Sequence, residues 1–353
     1  MKLGIIGLPQ SGKTTVFNAL THGDRPVIMS GGRFEVHTAV VDVPDPRLEE
    51  LSQLFNPKKT TYAKVTYADI AGLEGATGGN VAGPLLTQLS QMDGFIHVVR
   101  CFEDPSVPHI KGAVSPKRDI DLMEGEFLIN DLIQVENKLE RLAEEKARNS
   151  RDKTEITREV AIFERLHTAL SDSIPLREIE ITPEEKKIIS GYGFLSIKDL
   201  LVLLNLGEGQ EAPQIDFPER VLGISLQGQL EMEIAQLLPD DAQLFMDEYD
   251  ITEPSLNRMI RNSYALLKLQ SFFTVGEDEV RAWTVHQGVH APDAAGVIHS
   301  DLQKGFIRAE VIPYHELIML GSMAEARSKG KLRLEGKDYI LHDGDIMHVR
   351  FNV

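Results

Sequence analysis

Eight residues near the start of the chain, Gly7 to Thr14 in "GLPQSGKT", match G-x-x-x-x-G-K-[ST]. The pattern is a means of holding phosphates. Its glycines let the backbone curl until successive N–H groups point inward, and the helix that follows adds positive potential at its N-terminus. The lysine reaches β- and γ-phosphate oxygens while the hydroxyl residue after it ligates Mg²⁺. On this reading Gln10, Ser11, Gly12, Lys13, Thr14 and Thr15 bind the nucleotide, Lys13 is a catalytic cation and Thr14 is a metal ligand. A carboxylate is needed at the end of a neighbouring strand, and Asp69 in "YADIAG" supplies it about 56 residues beyond Lys13. Asp69 to Gly72 is D-x-x-G, in which the Gly72 N–H can sense a γ-phosphate. Many GTPases place a glutamine next, to orient the attacking water. Here it is Leu73, which has no hydrogen-bonding group, so hydrolysis is slow or another residue does that work.

The base is read at the end of a later strand. Guanine-specific proteins use N-K-x-D there, the aspartate accepting two hydrogen bonds from the guanine edge, whereas this chain has Asn205-Leu206-Gly207-Glu208. The lysine is replaced by Leu206 and the aspartate by the longer Glu208. A misplaced buried polar contact costs about 1 to 3 kcal/mol, so guanine preference is relaxed and adenine becomes the better candidate. "NLGE" is also compatible with a plain polar loop after a strand.

These residues need a scaffold. Apolar runs at 3 to 8, 34 to 43, 63 to 70 and 94 to 100, with a helix from about Lys13, predict an α/β sheet, largely parallel, whose ligands sit at the carboxyl ends of its strands. "LLVLLN" (200 to 205) and "RVLGISL" (220 to 226) add strands to that sheet. Between the first hundred residues and these two strands, Leu128, Leu132, Val135, Leu139 and Leu142 alternate in steps of four and three, and Ile156, Val160, Phe163, Leu166 and Leu170 continue the pattern after "RNSRDK". That is the seam of an antiparallel coiled-coil hairpin, a partner-contact arm that nucleotide chemistry does not require. From about Gly276 the pieces "VRAWTV", "FIRAEVI", "KLRLEGKDYIL" and "DIMHVRFNV" predict a small mixed β domain. The expected domains are thus 1–118 with 196–275 for the nucleotide, 119–195 for the helical insertion and 276–353 for the C-terminal module.

Composition narrows the partners. A net charge of −17 opposes broad adhesion to DNA or anionic membrane, and neither is expected. From Gly276 onward 9 Lys/Arg face 12 Asp/Glu, so an RNA contact is expected locally and towards that end. The longest purely apolar stretch, "LLVLL", is far too short to span a bilayer, and one cysteine, Cys101, fits a reducing compartment, so a cytoplasmic location is expected. Cys101 and His97 read as core residues.

Taken together, "GLPQSGKTTVFNALT", "DIAGL", "HVVRCFED" and "NLGE" resemble the YchF-type Obg-like ATPases, and "AAGVIHSDLQKGFIRAEVI" and "GKDYILHDGDIMHVRFNV" resemble that family's ubiquitin-like TGS domain, a β-grasp module. The resemblance spans essentially the whole chain. It implies a P-loop fold with coiled-coil insertion and TGS domain, Mg²⁺-dependent binding of ATP in preference to GTP, slow hydrolysis, and a monomer that contacts ribosomes or ribosomal RNA through the hairpin and the TGS domain. It further implies that a histidine in the flap after the fourth strand replaces the missing glutamine. Here that is His109 in "DPSVPHIKGAV", which on the residues alone reads as an exposed loop histidine. Two departures stand out. Arg33 lies where the family has a threonine that closes on the metal, and the glycine-rich loop after Leu73 is shorter and lacks its lysine.

Overall fold

A computed structural model of the chain describes residues 1–23, 36–70, 83–148, 151–248, 251 and 253–352. The elements run β1 (Lys2–Ile6), α1 (Lys13–Thr21), β2 (Val36–Asp42), α2 (Pro46–Phe55), β3 (Lys59–Thr61), β4 (Lys64–Ile70), α3 (Gly83–Ser90) and β5 (Gly94–Arg100). Then come α4 (Pro116–Arg148), α5 (Lys153–Ser171), α6 (Pro183–Ile189), β6 (Asp199–Asn205), β7 (Val221–Leu226), α7 (Gly228–Gln236) and α8 (Pro239–Glu248). The remainder is α9 (Ser255–Leu266), β8 (Leu269–Thr274), β9 (Glu279–His286), α10 (Ala291–Ile298), α11 (Ser300–Lys304), β10 (Phe306–Pro313), α12 (Tyr314–Leu320), α13 (Met323–Ser328), β11 (Arg333–Glu335) and β12 (Asp345–Phe351).

The first sheet has the order β2-β4-β1-β5-β6-β7, with parallel pairing from β4 through β7. Its central strand β5, "GFIHVVR", is buried at every position, as expected for a parallel strand covered on both faces. Because the strands run together, Ile6, Asp69, Arg100 and Asn205 all finish at the carboxyl edge, where β1 passes into the phosphate loop.

The hairpin forms as its heptads predict. Val135, Leu142, Ile156, Phe163, Leu166 and Leu170 are buried in one cluster, with Leu128, Leu132, Leu139 and Val160 packed against it. Asp152 caps α5 by accepting the Thr154 N–H, which fixes where the return helix starts. At 33 residues α4 is roughly 50 Å long. Its root is pinned by Asp131, fully buried on α4, whose carboxylate accepts from Leu195 N (2.9 Å), Ser196 N (2.7 Å) and Ser196 Oγ (2.7 Å) just before β6. Beside it buried Arg177 pairs with Glu124 and donates to Ser196 O at 3.1 Å. Burial pushes the Glu124 carboxyl up, with Arg177 opposing.

The chain divides into two compact units, Met1–Ala39 with Thr66–Leu256 and Val40–Val65 with Asn257–Val353. This differs from the boundaries expected from sequence at two places. First, "LQSFFT" forms β8, which lies in the second sheet between β12 and β9, so the C-terminal unit begins well before Gly276. Second, β3 pairs in parallel with β9, Lys59 opposite Glu279, and so draws α2 and β3 into that unit. Within it, Arg47 is held by Asp45 and Asp343; burial lowers its guanidinium pKa, but the hydrogen bonds and charges of these two carboxylates outweigh that and leave it raised. The second sheet runs β11-β10-β12-β8-β9-β3. In "KLRLEGKDYIL" only Arg333–Glu335 is a strand. Among the described residues no helix is long and apolar enough to cross a membrane.

Candidate functional site

Between β1 and α1 the backbone takes the left-handed or otherwise positive φ that the loop requires, at Gly7 (149°), Gln10 (63°) and Gly12 (96°). Each glycine is also needed sterically. A Cβ on Gly7 would lie 2.3 Å from Val98 O, and one on Gly12 would lie 2.1 Å from Asn205 Nδ2. Lys13 Nζ donates back to Gly7 O (2.9 Å) and Leu8 O (2.8 Å), which keeps the cation over the loop. Ser11 Oγ, in a residue 2% exposed, has no hydrogen-bond partner among the described residues. A curled backbone, a tethered ammonium and an orphaned hydroxyl together make a cradle suited to phosphate oxygens.

The expected metal ligands meet. Thr14 Oγ1 donates to Asp69 Oδ2 at 3.2 Å, and Asp69 is 5% exposed. One hydroxyl and one carboxylate, both hard oxygen donors, fit Mg²⁺, which takes few protein ligands and fills the rest with water and phosphate oxygens.

Asn205, expected at the base, is a bracket in the fold. Its Nδ2 donates to Ser11 O (3.0 Å) and its Oδ1 accepts the Gly228 N–H (3.0 Å), so the end of β6 ties the phosphate loop to the start of α7. Leu206 is buried and Glu208 is exposed. Gln210, which belongs to none of the motifs, steadies this loop: its Oε1 accepts from Gly207 N (2.9 Å) and its Nε2 donates to Cys101 O (2.8 Å). Nothing in its spacing marks it out, since its role depends on how close β5 and β6 end. Gly72, Leu73 and Arg33 lie outside the described residues.

Beneath the loop His97 is 1% exposed on β5, and its imidazole is held down to about 3 by burial and then by the Lys13 charge. The native state therefore keeps it neutral while the unfolded chain takes a proton below about 6.5. Stability from this group is complete above that value and is lost as pH falls towards 3. His97→Leu, which cannot take the proton, should close the gap with the wild type by about 2 kcal/mol between pH 6.5 and 5, read by urea unfolding at each pH.

After β5 the chain enters a loop that Arg100 organises. This guanidinium is 1% exposed, donates to Phe102 O (3.0 Å) and Val107 O (2.8 Å), and lies 4.4 Å over the Phe102 ring. His109 follows, and the exposed position expected from its proline-rich loop is not what the fold gives. It is 7% exposed because Nε2 reaches Asp119 Oδ2 at 2.9 Å and Nδ1 accepts the Lys111 N–H at 3.1 Å. Asp119 and Arg118 open α4, and in sequence they read as an ordinary first-turn charge pair. Cys101 is buried, and burial together with the Asp119 charge pushes its thiol up to about 12. Iodoacetamide at pH 8 should therefore label Cys101 in the folded protein at least about a hundredfold more slowly than in urea.

Comparison with known proteins agrees in each of three ways. The YchF-GTPase_C family, described as a protein of unknown function, matches residues 269–352. The ribosome-binding ATPase YchF of Bacillus subtilis (strain 168) is 38% identical over 364 residues, covering 99% of both chains. Its namesake from Pasteurella multocida (strain Pm70) is 40% identical over 363 residues, covering 100% of this chain and 99% of its own. Among solved structures, the Schizosaccharomyces pombe YchF GTPase superposes with a TM-score of 0.86 at 31% identity, over 99% of this chain and 97% of that one.

Proposed function

The chain belongs to the YchF family, and from that premise we propose that it is a Mg²⁺-dependent P-loop switch that binds ATP, cleaves it slowly and works on the ribosome in the cytoplasm. The observation that carries the reading is the junction at the carboxyl edge of the first sheet. There the phosphate loop, the Thr14–Asp69 pair and the Asn205 bracket meet on neighbouring strands.

The division of labour follows from the residues. Inward N–H groups from Gln10 to Thr15 and the Lys13 ammonium hold the phosphates in line, and positioning of this kind supplies most of the catalysis in phosphoryl transfer. Thr14 and Asp69 would hold Mg²⁺, which would supply positive charge against that building on the phosphate oxygens. Gly72 senses the γ-phosphate, and His109 serves as the catalytic side chain in place of the glutamine that Leu73 displaces. At the base, buried Leu206 and exposed Glu208 replace the lysine and aspartate that favour guanine, which supports adenine. The hairpin and the C-terminal unit, taken as a TGS domain, face the ribosomal partner, and the protein acts as a monomer.

The S. pombe relative is called a GTPase, so the base is the first thing to test. In a thermal-shift titration with Mg²⁺, ATP should stabilise the protein at lower concentration than GTP, reaching about 2.7 kcal/mol at a hundred times its Kd. A clear preference for GTP would sink the adenine reading. Single-turnover cleavage tests His109: if wild type and His109→Ala bind ATP yet both leave it intact, the protein is a nucleotide sensor without catalysis. Sedimentation with ribosomes under ATP, ADP and a non-hydrolysable analogue tests the partner, and absence from ribosomal fractions in all three counts against it.

A further inference from the structure

His109 has two ring nitrogens, and both are in use. The Lys111 backbone N–H donates to Nδ1, so that nitrogen holds a lone pair and the neutral ring carries its proton on Nε2. That proton is donated to Asp119 Oδ2 at 2.9 Å, between side chains only 2% and 3% exposed. Arg118 closes the cluster from the other side. Its Nε and Nη2 donate to Asp119 Oδ1 (2.9 and 2.8 Å), its Nη2 donates to Ala113 O (2.9 Å), and the same nitrogen lies 3.5 Å from His109 Nδ1. An imidazole so engaged can neither take a proton from water nor give one to a phosphate.

The anchoring of the loop shows where it can yield. Arg100 pins it as far as Val107 by two backbone carbonyls on the β5 side. Beyond Val107 the ties at His109 and Ala113 run to Arg118 and Asp119, in the first turn of the helix that becomes the hairpin. Loop and hairpin thus share one buried, charge-assisted junction.

We propose that Asp119 is a positioning residue that restrains hydrolysis: it parks His109 as the Nε2–H tautomer and surrenders it when the first turn of α4 shifts, so a partner that moves the hairpin licenses cleavage. The inference rests on His109 being the catalytic side chain, as assigned above. A neutral amide at position 119 keeps the shape but weakens a charge-assisted hydrogen bond, a change large enough to alter the released fraction about tenfold.

The test compares single-turnover ATP cleavage in the wild type, Asp119→Asn, His109→Ala and the double variant, with ATP affinity measured for each. Asp119→Asn should cleave about tenfold faster at unchanged affinity, and the double variant should fall to the His109→Ala rate. A rate in Asp119→Asn at or below that of the wild type overturns the proposal, because Asp119 then supports catalysis or plays no part in it. Should His109→Ala cleave as fast as the wild type, the catalytic assignment fails, and the restraint is judged by two readouts that need no cleavage and no variant. Long-range ¹H–¹⁵N spectra of the wild type should show His109 as the Nε2–H tautomer, and the Lys111 amide, which donates to Nδ1, should exchange slowly in the free protein. The other tautomer, or fast exchange of that amide, refutes the parked histidine.

Discussion

Lys13→Ala should abolish the ATP-dependent rise in melting temperature and slow single-turnover cleavage by about a hundred- to a thousandfold, while leaving the protein folded. The ammonium is held over the phosphate loop by two carbonyls, Gly7 O and Leu8 O. What is lost is a cation that can follow charge onto the γ-phosphate as the bond breaks, an interaction made more strongly in the transition state than in the ground state. The same variant has an internal control. Lys13 helps keep His97 unprotonated, so its removal should raise the His97 pKa. An ATP shift of wild-type size in Lys13→Ala would remove the phosphate site from this loop.

The largest loss of stability is expected at the root of the hairpin. Asp131→Ala deletes a carboxylate that receives two backbone N–H groups and a hydroxyl, all buried, and leaves Leu195 N and Ser196 N without an acceptor. Each unpaired buried donor costs about 1 to 3 kcal/mol, and the neighbouring Arg177–Glu124 pair loses a neighbour that fixes Ser196, so about 3 to 5 kcal/mol is expected. Urea unfolding followed by circular dichroism reads it. Fluorescence of Trp283, the one tryptophan, would report the other unit. A loss under 1 kcal/mol would mean that the root is held by the hydrophobic seam and not by this carboxylate.

Periodicity and motif spacing made much of this legible. Strands β1, β5 and β6 and the hairpin seam follow from local pattern, because each is a run whose burial alternates or persists along the chain. The phosphate loop is legible for the same reason: Gly7, Gly12, Lys13 and Thr14 act within one turn of backbone. The environment of His109 was not, since it depends on Asp119 and Arg118, ten and nine residues on, reaching back to its ring from the first turn of α4. In sequence Asn205 reads as a base-recognition residue, but its bracket between Ser11 and Gly228 is long-range. The division into units was hidden for a like reason. β3 is three residues long and polar, and only its pairing with β9, more than two hundred residues later, gives it a place.

That late pairing sets a clock on biosynthesis. Val40–Val65 leaves the ribosome early, but the rest of its unit begins at Asn257, after a stretch of about 190 residues that folds elsewhere. At about 5 to 20 residues per second, α2 waits roughly 10 to 40 seconds with Leu48 and Leu51, both fully buried in the finished protein, lacking most of their partners. Slow codons or early termination within Thr66–Leu256 would lengthen or make permanent the exposure of a nascent apolar helix, so the quality of synthesis over the nucleotide-binding stretch governs whether the other unit forms at all.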